Sequence, residues 1–128
     1  MPNNKVLVAG ASGLVGLAAL RHFAGLPGWD AVGISRRPSD IPGATSVSLD
    51  LADRDVCERA FGKMADVTHV VYAALYELPG LLPGWTDPEQ ISRNGAMLTN
   101  LFEPLLRVAK GLQHVSLLHG TKAYGIHH

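Results

Sequence analysis

Cysteine is almost absent from this sequence, since Cys57 is the only one among 128 residues. A single thiol cannot form a disulfide within the chain or supply a cysteine-based zinc site. This composition favours a reducing, cytoplasmic setting. The six histidines are scattered, and no two flank a carboxylate at one-turn helical spacing, so we expect no metal site.

Long apolar runs and an excess of one charge are also missing. No stretch approaches the roughly 18 consecutive apolar residues that indicate a membrane span, and the first residues lack the apolar core of a secretory signal. We therefore expect no membrane association. Lys+Arg and Asp+Glu number 11 each, so bulk charge gives no reason to expect a nucleic-acid partner. Hydrophobic residues make up 47% of the chain and charged residues 17%, which predicts a packed core.

Five short apolar runs alternate with segments of helical periodicity. The runs cover residues 5–9, 31–35, 45–49, 69–73 and 114–118, and they are apolar nearly throughout, which is typical of strands covered on both faces. Helical spacing covers residues 13–24, 53–63 and 88–110, and Pro104 predicts a kink or a break in the last of these segments. No helix is expected between the second and third strands.

This alternation predicts an α/β fold with a doubly wound parallel sheet of the Rossmann type. We expect about five strands in the order 3-2-1-4-5. One domain accounts for residues 1–128, because single cores usually contain about 100–200 residues.

A glycine-rich loop follows the first strand directly and opens the first helical segment. Its glycines have the spacing G-x-x-G-x-x-G. The first glycine permits a sharp turn, the second lets backbone N–H groups approach a pyrophosphate, and the third lets the helix pack close to the sheet. The free N–H groups at a helix N-terminus then hold the phosphates. We predict that the dinucleotide phosphates bind Gly10, Ser12, Gly13, Leu14, Val15 and Gly16.

The second strand ends at Ser35, Arg36 and Arg37. An NAD-preferring fold places a carboxylate about 20 residues after the loop, where it bonds the ribose 2′-hydroxyl. Here two guanidinium groups and a hydroxyl stand in its place, and arginine matches a phosphate by forked, charge-assisted hydrogen bonds. The sequence therefore predicts NADP(H), with a solvated basic turn as the alternative.

The ends of the third and fourth strands complete the predicted cofactor path. Asp50 can accept from the adenine amino group and Leu51 can cover the ring, although Asp50 equally fits the N-cap of the next helix. Ala73, Ala74 and Leu75 end the fourth strand. The small residues there leave room for the cofactor ribose or serve core packing.

Three side chains on the helical segments are assigned structural roles. Cys57 is expected to be a buried helix residue. Asn94 and Asn100 lie on the inner side of the third helical segment, and we expect them to brace the fourth and fifth strands, with catalysis as the less favoured alternative.

Taken together, these motifs resemble the atypical short-chain dehydrogenases/reductases, and most of all the progesterone 5β-reductase/iridoid synthase-like enone reductases. The glycine-rich loop, residues 35–37, residues 50–51, NGAMLTN (residues 94–100) and HGTKAY (residues 119–124) carry the resemblance. It implies an NADP-dependent oxidoreductase that reduces an enone or carbonyl of a small molecule by hydride transfer. Lys122 maps onto the lysine of the family's Gly-x-Lys-x-Tyr motif, which makes it the catalytic residue, whereas Ala123 stands where the reductases commonly have His.

The resemblance also implies that the chain is an N-terminal portion that ends after the fifth strand. The partner Tyr of the family and the substrate-binding part come later, so we expect this chain alone to be inactive. A non-catalytic NADP-binding regulator or sensor is one alternative. A sugar-nucleotide epimerase/dehydratase relative is another, although Gly120 stands where that group keeps a catalytic Ser or Thr. The fifth strand, with Val115, Leu117 and Leu118, is expected to be an exposed edge that favours self-association.

Overall fold

The computed structural model describes residues 4–74 and 88–118, without the side chains of residues 89 and 90. Strands and helices alternate along these ranges as the apolar runs predict. In chain order they are β1 (Asn4–Ala9), α1 (Leu14–Ala24), β2 (Trp29–Ser35), β3 (Ala44–Ser48), α2 (Arg54–Phe61), β4 (His69–Tyr72), α3 (Pro88–Val108) and β5 (His114–Leu117). The segment between β2 and β3 contains no helix, as predicted.

The five strands form one parallel sheet in the order β3-β2-β1-β4-β5, which confirms the predicted doubly wound arrangement. β1 is central, and its Val8 lies opposite Gly33 of β2 and Val71 of β4. Because all the strands are parallel, their carboxyl ends meet along one edge of the sheet, where ligands bind in folds of this kind.

Two apolar layers cover the sheet, and β1 contributes alternate residues to each. Val6 and Val8 pack with Leu20 of α1 on one face. Leu7 and Ala9 belong to the larger core on the opposite face, since successive side chains of a strand point to opposite sides. Residues of α2 and α3 complete this second layer, among them Cys57, Phe61, Leu101 and Leu105.

α3 is a single helix of 21 residues with Pro104 inside it, so the predicted alternative of a break into two helices is wrong. Proline removes one backbone hydrogen bond from the helix interior. Pro104 is fully buried, as are its neighbours Leu101 and Leu105. We attribute the continuity of the helix to this packing, which offsets the missing bond.

Ion pairs link the exposed faces of α2 and α3. Arg54 Nη2 lies 2.6 Å from Glu103 Oε1, and Arg107 Nη2 lies 2.5 Å from Glu58 Oε2. The hydrogen bond from Arg54 lowers the pKa of Glu103 below its usual value. These pairs link two helices that pack side by side over the same face of the sheet through their apolar residues.

β5 forms one edge of the described sheet. Its residues Val115 and Leu117, with the following Leu118, are between 37% and 45% exposed. Within residues 4–74 and 88–118, no helix is long and apolar enough to cross a membrane. Over the same ranges, no cluster of three or more His, Cys, Asp or Glu side chains could hold a metal ion.

Candidate functional site

A cleft of about 860 Å³ opens at the carboxyl edge of the sheet. Every predicted cofactor-binding residue that the structure describes lines it, except Arg37. Leu75 and the predicted catalytic Lys122 lie outside the described residues. The lining residues are Gly10, Ser12, Gly13, Leu14, Val15, Gly16, Ile34, Ser35, Arg36, Leu49, Asp50, Leu51, Ala52, Ala73, Ala74, Arg93 and Met97.

Two glycines of the loop are required by the protein's own packing. Gly10 has a φ of +82°, and a Cβ there would lie 2.7 Å from the backbone of Ala73 and Ala74. A Cβ on Gly16 would lie 2.0 Å from the carbonyl oxygen of Gly10. Backbone atoms cannot move away as a flexible side chain can, so any larger residue at either position would displace the loop from the sheet or from α1.

Gly13 differs from the other two glycines. Its φ of −80° and ψ of 170° are open to any residue, and a Cβ there would approach only the Gly10 carbonyl oxygen, at 3.5 Å. That distance is an ordinary van der Waals contact. The described fold does not require glycine here, whereas a ligand that lies against the backbone does. The cleft therefore fits the close approach of a phosphate to Gly13.

The N-terminus of α1 also faces this cleft. Gly13 is the N-cap residue and provides no capping side chain, and the first turn holds no acidic residue. The first intrahelical bond runs from the Leu17 amide to the Gly13 carbonyl, at 2.8 Å. The N–H groups of Leu14, Val15 and Gly16 therefore have no partner within the helix. Together with the helix dipole, they make this end suitable for an anion.

Hydroxyl groups hold the turn that follows β2. Ser35 Oγ donates to the Arg37 carbonyl, and Ser48 Oγ donates to the Arg36 carbonyl at 2.7 Å. The Leu49 amide also donates to the Ser35 carbonyl, at 3.0 Å. In the turn that these bonds define, Arg36 lines the cleft and Arg37 does not. The Ser35 hydroxyl is engaged with this backbone.

Asp50 starts the loop between β3 and α2. Its Oδ1 accepts from the Ala52 amide at 2.9 Å. The N-cap of α2 is Asp53, whose Oδ1 accepts from the Val56 amide at 3.3 Å, so the N-cap interpretation of Asp50 is wrong. The Asp50 side chain is exposed at the wall of the cleft, and the buried Leu51 lies beside it.

Asn100 bonds a different part of the fold from the predicted fourth and fifth strands. Its Nδ2 donates to the Leu51 carbonyl at 2.8 Å, in the loop after β3, so the expectation that it braces the fourth and fifth strands is wrong. The sequence placed it correctly on the inner face of the helix but could not show which strand end that face meets. Cys57 is fully buried as predicted, and burial is the main cause that raises the pKa of its thiol to about 11.

The sequence patterns did not predict that α3 contributes to the cleft. Arg93 and Met97, one helical turn apart, line it from this helix. Their spacing of four residues places them on one face of a helix, but no local signal in the sequence shows that this face borders the same cleft as residues 10–16. Ile34, Leu49 and Ala52 are further lining residues that the sequence did not single out.

The family description "NAD dependent epimerase/dehydratase family" matches residues 6–128 of the chain. The chain belongs to this family. Its members bind a nicotinamide dinucleotide, as the description states, and membership supports that cofactor class without distinguishing NADP from NAD.

Similar proteins agree with this assignment. The 3-oxo-Delta(4,5)-steroid 5-beta-reductase of Arabidopsis thaliana is 32% identical over 130 residues, which are 92% of this chain and 31% of that protein. The (S)-8-oxocitronellyl enol synthase of Antirrhinum majus is 29% identical over 126 residues, with 92% and 30% covered. These similarities confirm the resemblance to the progesterone 5β-reductase-like group. The chain spans about a third of the length of these relatives.

Solved structures confirm the fold. A short chain dehydrogenase family protein from Francisella tularensis subsp. tularensis SCHU S4 superposes with a TM-score of 0.76 at 15% sequence identity. The superposition covers 94% of this chain and 52% of that one.

Proposed function

We propose that the cleft binds NADP(H), and that residues 1–128 form the NADP-binding domain of an oxidoreductase. The whole enzyme would reduce an enone or carbonyl of a small molecule, with the hydride supplied by the reduced nicotinamide. The observation that carries this proposal is the placement of Arg36 and the N-terminus of α1 around one cleft. The reductase and enol synthase names of the similar proteins support the reaction class.

Separate groups of lining residues suit the pyrophosphate, the ribose and the adenosine of a dinucleotide. The amides of Leu14, Val15 and Gly16, with the Ser12 hydroxyl, would hold the pyrophosphate. The open backbone at Gly13 allows that contact. The small side chains of the 73–74 segment leave space for a ribose, and the role of Leu75 in cofactor binding stays a prediction from the sequence.

The residues that follow the second and third strands would bind the adenosine part of the dinucleotide. Arg36 would form charge-assisted hydrogen bonds with the 2′-phosphate, and the adjacent Arg37 would add positive charge from outside the cleft. Ser35 would act by holding the turn. Asp50 would accept from the adenine amino group while Leu51 covers the ring.

Charge around the cleft supports NADP(H) over NAD(H). Of the described lining residues, Arg36 and Arg93 carry positive charge and Asp50 alone carries negative charge. The 2′-phosphate adds negative charge to the ligand, so the guanidinium of Arg36 at the cleft favours the phosphorylated form. A charge-assisted hydrogen bond contributes about 1.5–3 kcal/mol, which is about tenfold or more in affinity.

Titration calorimetry with NADPH and NADH tests the cofactor proposal. We expect the unmodified chain to bind NADPH more tightly, Arg36→Ala to lower NADPH affinity about tenfold or more, and NADH affinity to change little. Arg37→Ala is the matched control, with a smaller loss because its side chain lies outside the cleft. Equal affinities of the unmodified chain for both cofactors would refute the preference.

Catalysis is proposed for a longer protein that contains this chain. A reduced enone develops negative charge on its oxygen, which a donor must stabilise. Lys122 would provide positive charge there, directly or by lowering the pKa of a neighbouring tyrosine. We expect residues 1–128 to bind NADPH without turnover, and the longer protein to oxidise NADPH with an enone. Lys122→Ala should lower kcat about tenfold or more, and turnover that Lys122→Ala leaves unchanged would remove this lysine from the mechanism.

Two further features complete the proposal. The exposed β5 edge would pair with a second copy of the chain, because unpaired strand edges with apolar side chains associate. Light scattering of the 128-residue chain should detect dimers or larger species, and a monomer at high concentration would contradict this.

The buried Cys57, which forms no disulfide, is compatible with the reducing cytoplasm to which we assign the protein.

A further inference from the structure

The segment that carries Asp50 and Leu51 belongs to neither β3 nor α2. Strand pairing therefore does not hold it, although both residues line the cleft. Two local bonds close its turn: the Asp53 amide donates to the Asp50 carbonyl at 2.9 Å, and the Ala52 amide donates to Asp50 Oδ1 at 2.9 Å. The Leu51 carbonyl takes no part in this turn and accepts a hydrogen bond from α3.

Asn100 provides that bond. Its side-chain amide donates to the Leu51 carbonyl at 2.8 Å across 49 residues of sequence, and Asn100 is only 5% exposed. A buried carbonyl without a donor loses the free energy of its hydration. The Cys57 thiol also lies 3.7 Å from the Leu51 carbonyl, but a thiol is a weak donor. The amide of Asn100 is therefore the stronger partner.

The same helix forms part of the cleft wall. Met97 lies nearly one turn before Asn100, and Arg93 lies one turn further back. Asn100 does not line the cleft itself. Through its bond to Leu51, α3 fixes the position of this neighbouring wall segment relative to its own lining residues.

We propose that Asn100 is a positioning residue for adenine recognition. Its amide holds the Leu51 backbone so that the Asp50 carboxylate and the Leu51 side chain face the adenine end of the dinucleotide. This inference rests on the proposed cofactor site. A purely structural asparagine would change the stability of the fold when replaced, whereas a positioning residue also changes which base the cleft prefers.

Base discrimination separates the two roles. NADPH carries a 6-amino group, which a carboxylate can accept from. Its analogue with hypoxanthine in place of adenine carries a 6-oxo group, which is an acceptor and faces Asp50 unfavourably. The ratio of the two dissociation constants therefore reports the placement of Asp50, and a general loss of stability does not move this ratio.

The test measures both ligands by calorimetry with the 128-residue chain and its Asn100→Leu and Asn100→Gln variants. We expect the unmodified chain to prefer NADPH about tenfold. Asn100→Leu removes the donor and should bring the ratio close to one through weaker NADPH binding. Asn100→Gln keeps an amide donor and should restore part of the preference. Thr99→Val is the matched control, since among the described residues the Thr99 hydroxyl bonds the Gly95 carbonyl, on the exposed side of the same helix.

The possible failures are distinguishable. If the unmodified chain does not bind NADPH, the cofactor proposal fails. If it binds NADPH but shows no base preference, or if Asn100→Leu keeps the preference, the positioning role is overturned and the cofactor site stands. Should Asn100→Leu not fold, the side-chain amide NMR signals of Asn100 in the unmodified chain decide the matter. NADPH should shift these signals more than the hypoxanthine analogue does, and equal shifts would overturn the proposal.

Discussion

Substitution of single glycines should separate folding from ligand binding in the 10–16 loop. An alanine Cβ at Gly16 would lie 2.0 Å from the Gly10 carbonyl oxygen, whereas at Gly13 the nearest atom is the same oxygen at 3.5 Å. The first contact forces backbone atoms apart. The second is an ordinary contact that needs no movement.

The expected magnitudes follow from these distances. Overpacking against neighbours costs about 1–3 kcal/mol, and we place Gly16→Ala at the upper end because only backbone atoms are available to move. Gly13→Ala replaces a moderate N-cap residue by a poor one, at about 1 kcal/mol or less. An alanine methyl at Gly13 would, however, stand where the phosphate approaches, so we expect NADPH affinity to fall about tenfold or more.

Thermal unfolding followed by circular dichroism, together with NADPH titration of the folded variants, measures both effects. Gly16→Ala should lower the midpoint by about 10 °C or more, and Gly13→Ala by a few degrees only. Gly13→Ser offers a matched control for the cap, because serine restores capping while it still adds a side chain. The reasoning is refuted if Gly13→Ala binds NADPH like the unmodified chain, or if it unfolds as readily as Gly16→Ala.

Three further predictions concern stability. Burial is the main cause that raises the pKa of Cys57 to about 11 and that of Tyr72 to about 12. Because both protonated forms are favoured in the folded state, urea titrations should show the free energy of unfolding falling between about pH 8.5 and pH 12, with a total loss of about 3 kcal/mol per group; a flat profile over this range would contradict this. The Tyr72 hydroxyl is buried without a partner among the described residues, so Tyr72→Phe should leave the urea midpoint unchanged or raise it. Arg107→Ala should lower the thermal midpoint by less than about 3 °C, because Arg107 and Glu58 form an exposed pair, and high salt should remove the difference.

Local patterns were sufficient to predict the sheet and most of the cleft. The apolar runs located all five strands, although only β1 and β2 are buried along most of their length, while β3 and β5 are half-buried or exposed. The glycine spacing located the loop because Gly10 and Gly16 meet a backbone contact that only glycine permits. The doubly wound strand order then places the carboxyl ends of β1, β2, β3 and β4 at one edge of the sheet. No further signal from the sequence is needed for this step.

Long-range contacts account for what the sequence did not predict. Arg36 and Arg37 are equivalent in sequence, and the structure distinguishes them: bonds from Ser35, Ser48 and the Leu49 amide hold the turn in which Arg36 lines the cleft. The roles of Asp50 and Asp53 depend on where α2 begins, which composition alone left open. Asn100 was misassigned because helical periodicity identifies an inner face but not the strand end that it contacts.

The central claim is that the carboxyl edge of this sheet holds an NADP(H) molecule, and amide chemical-shift mapping by NMR tests it most directly. Titration of NADPH into the ¹⁵N-labelled 128-residue chain should shift the amides of Gly13, Leu14, Val15 and Arg36. The amides of Lys5 and His114, at the opposite edge of the sheet, should stay in place. No shifts at saturating NADPH, or shifts centred on that opposite edge, would contradict the account.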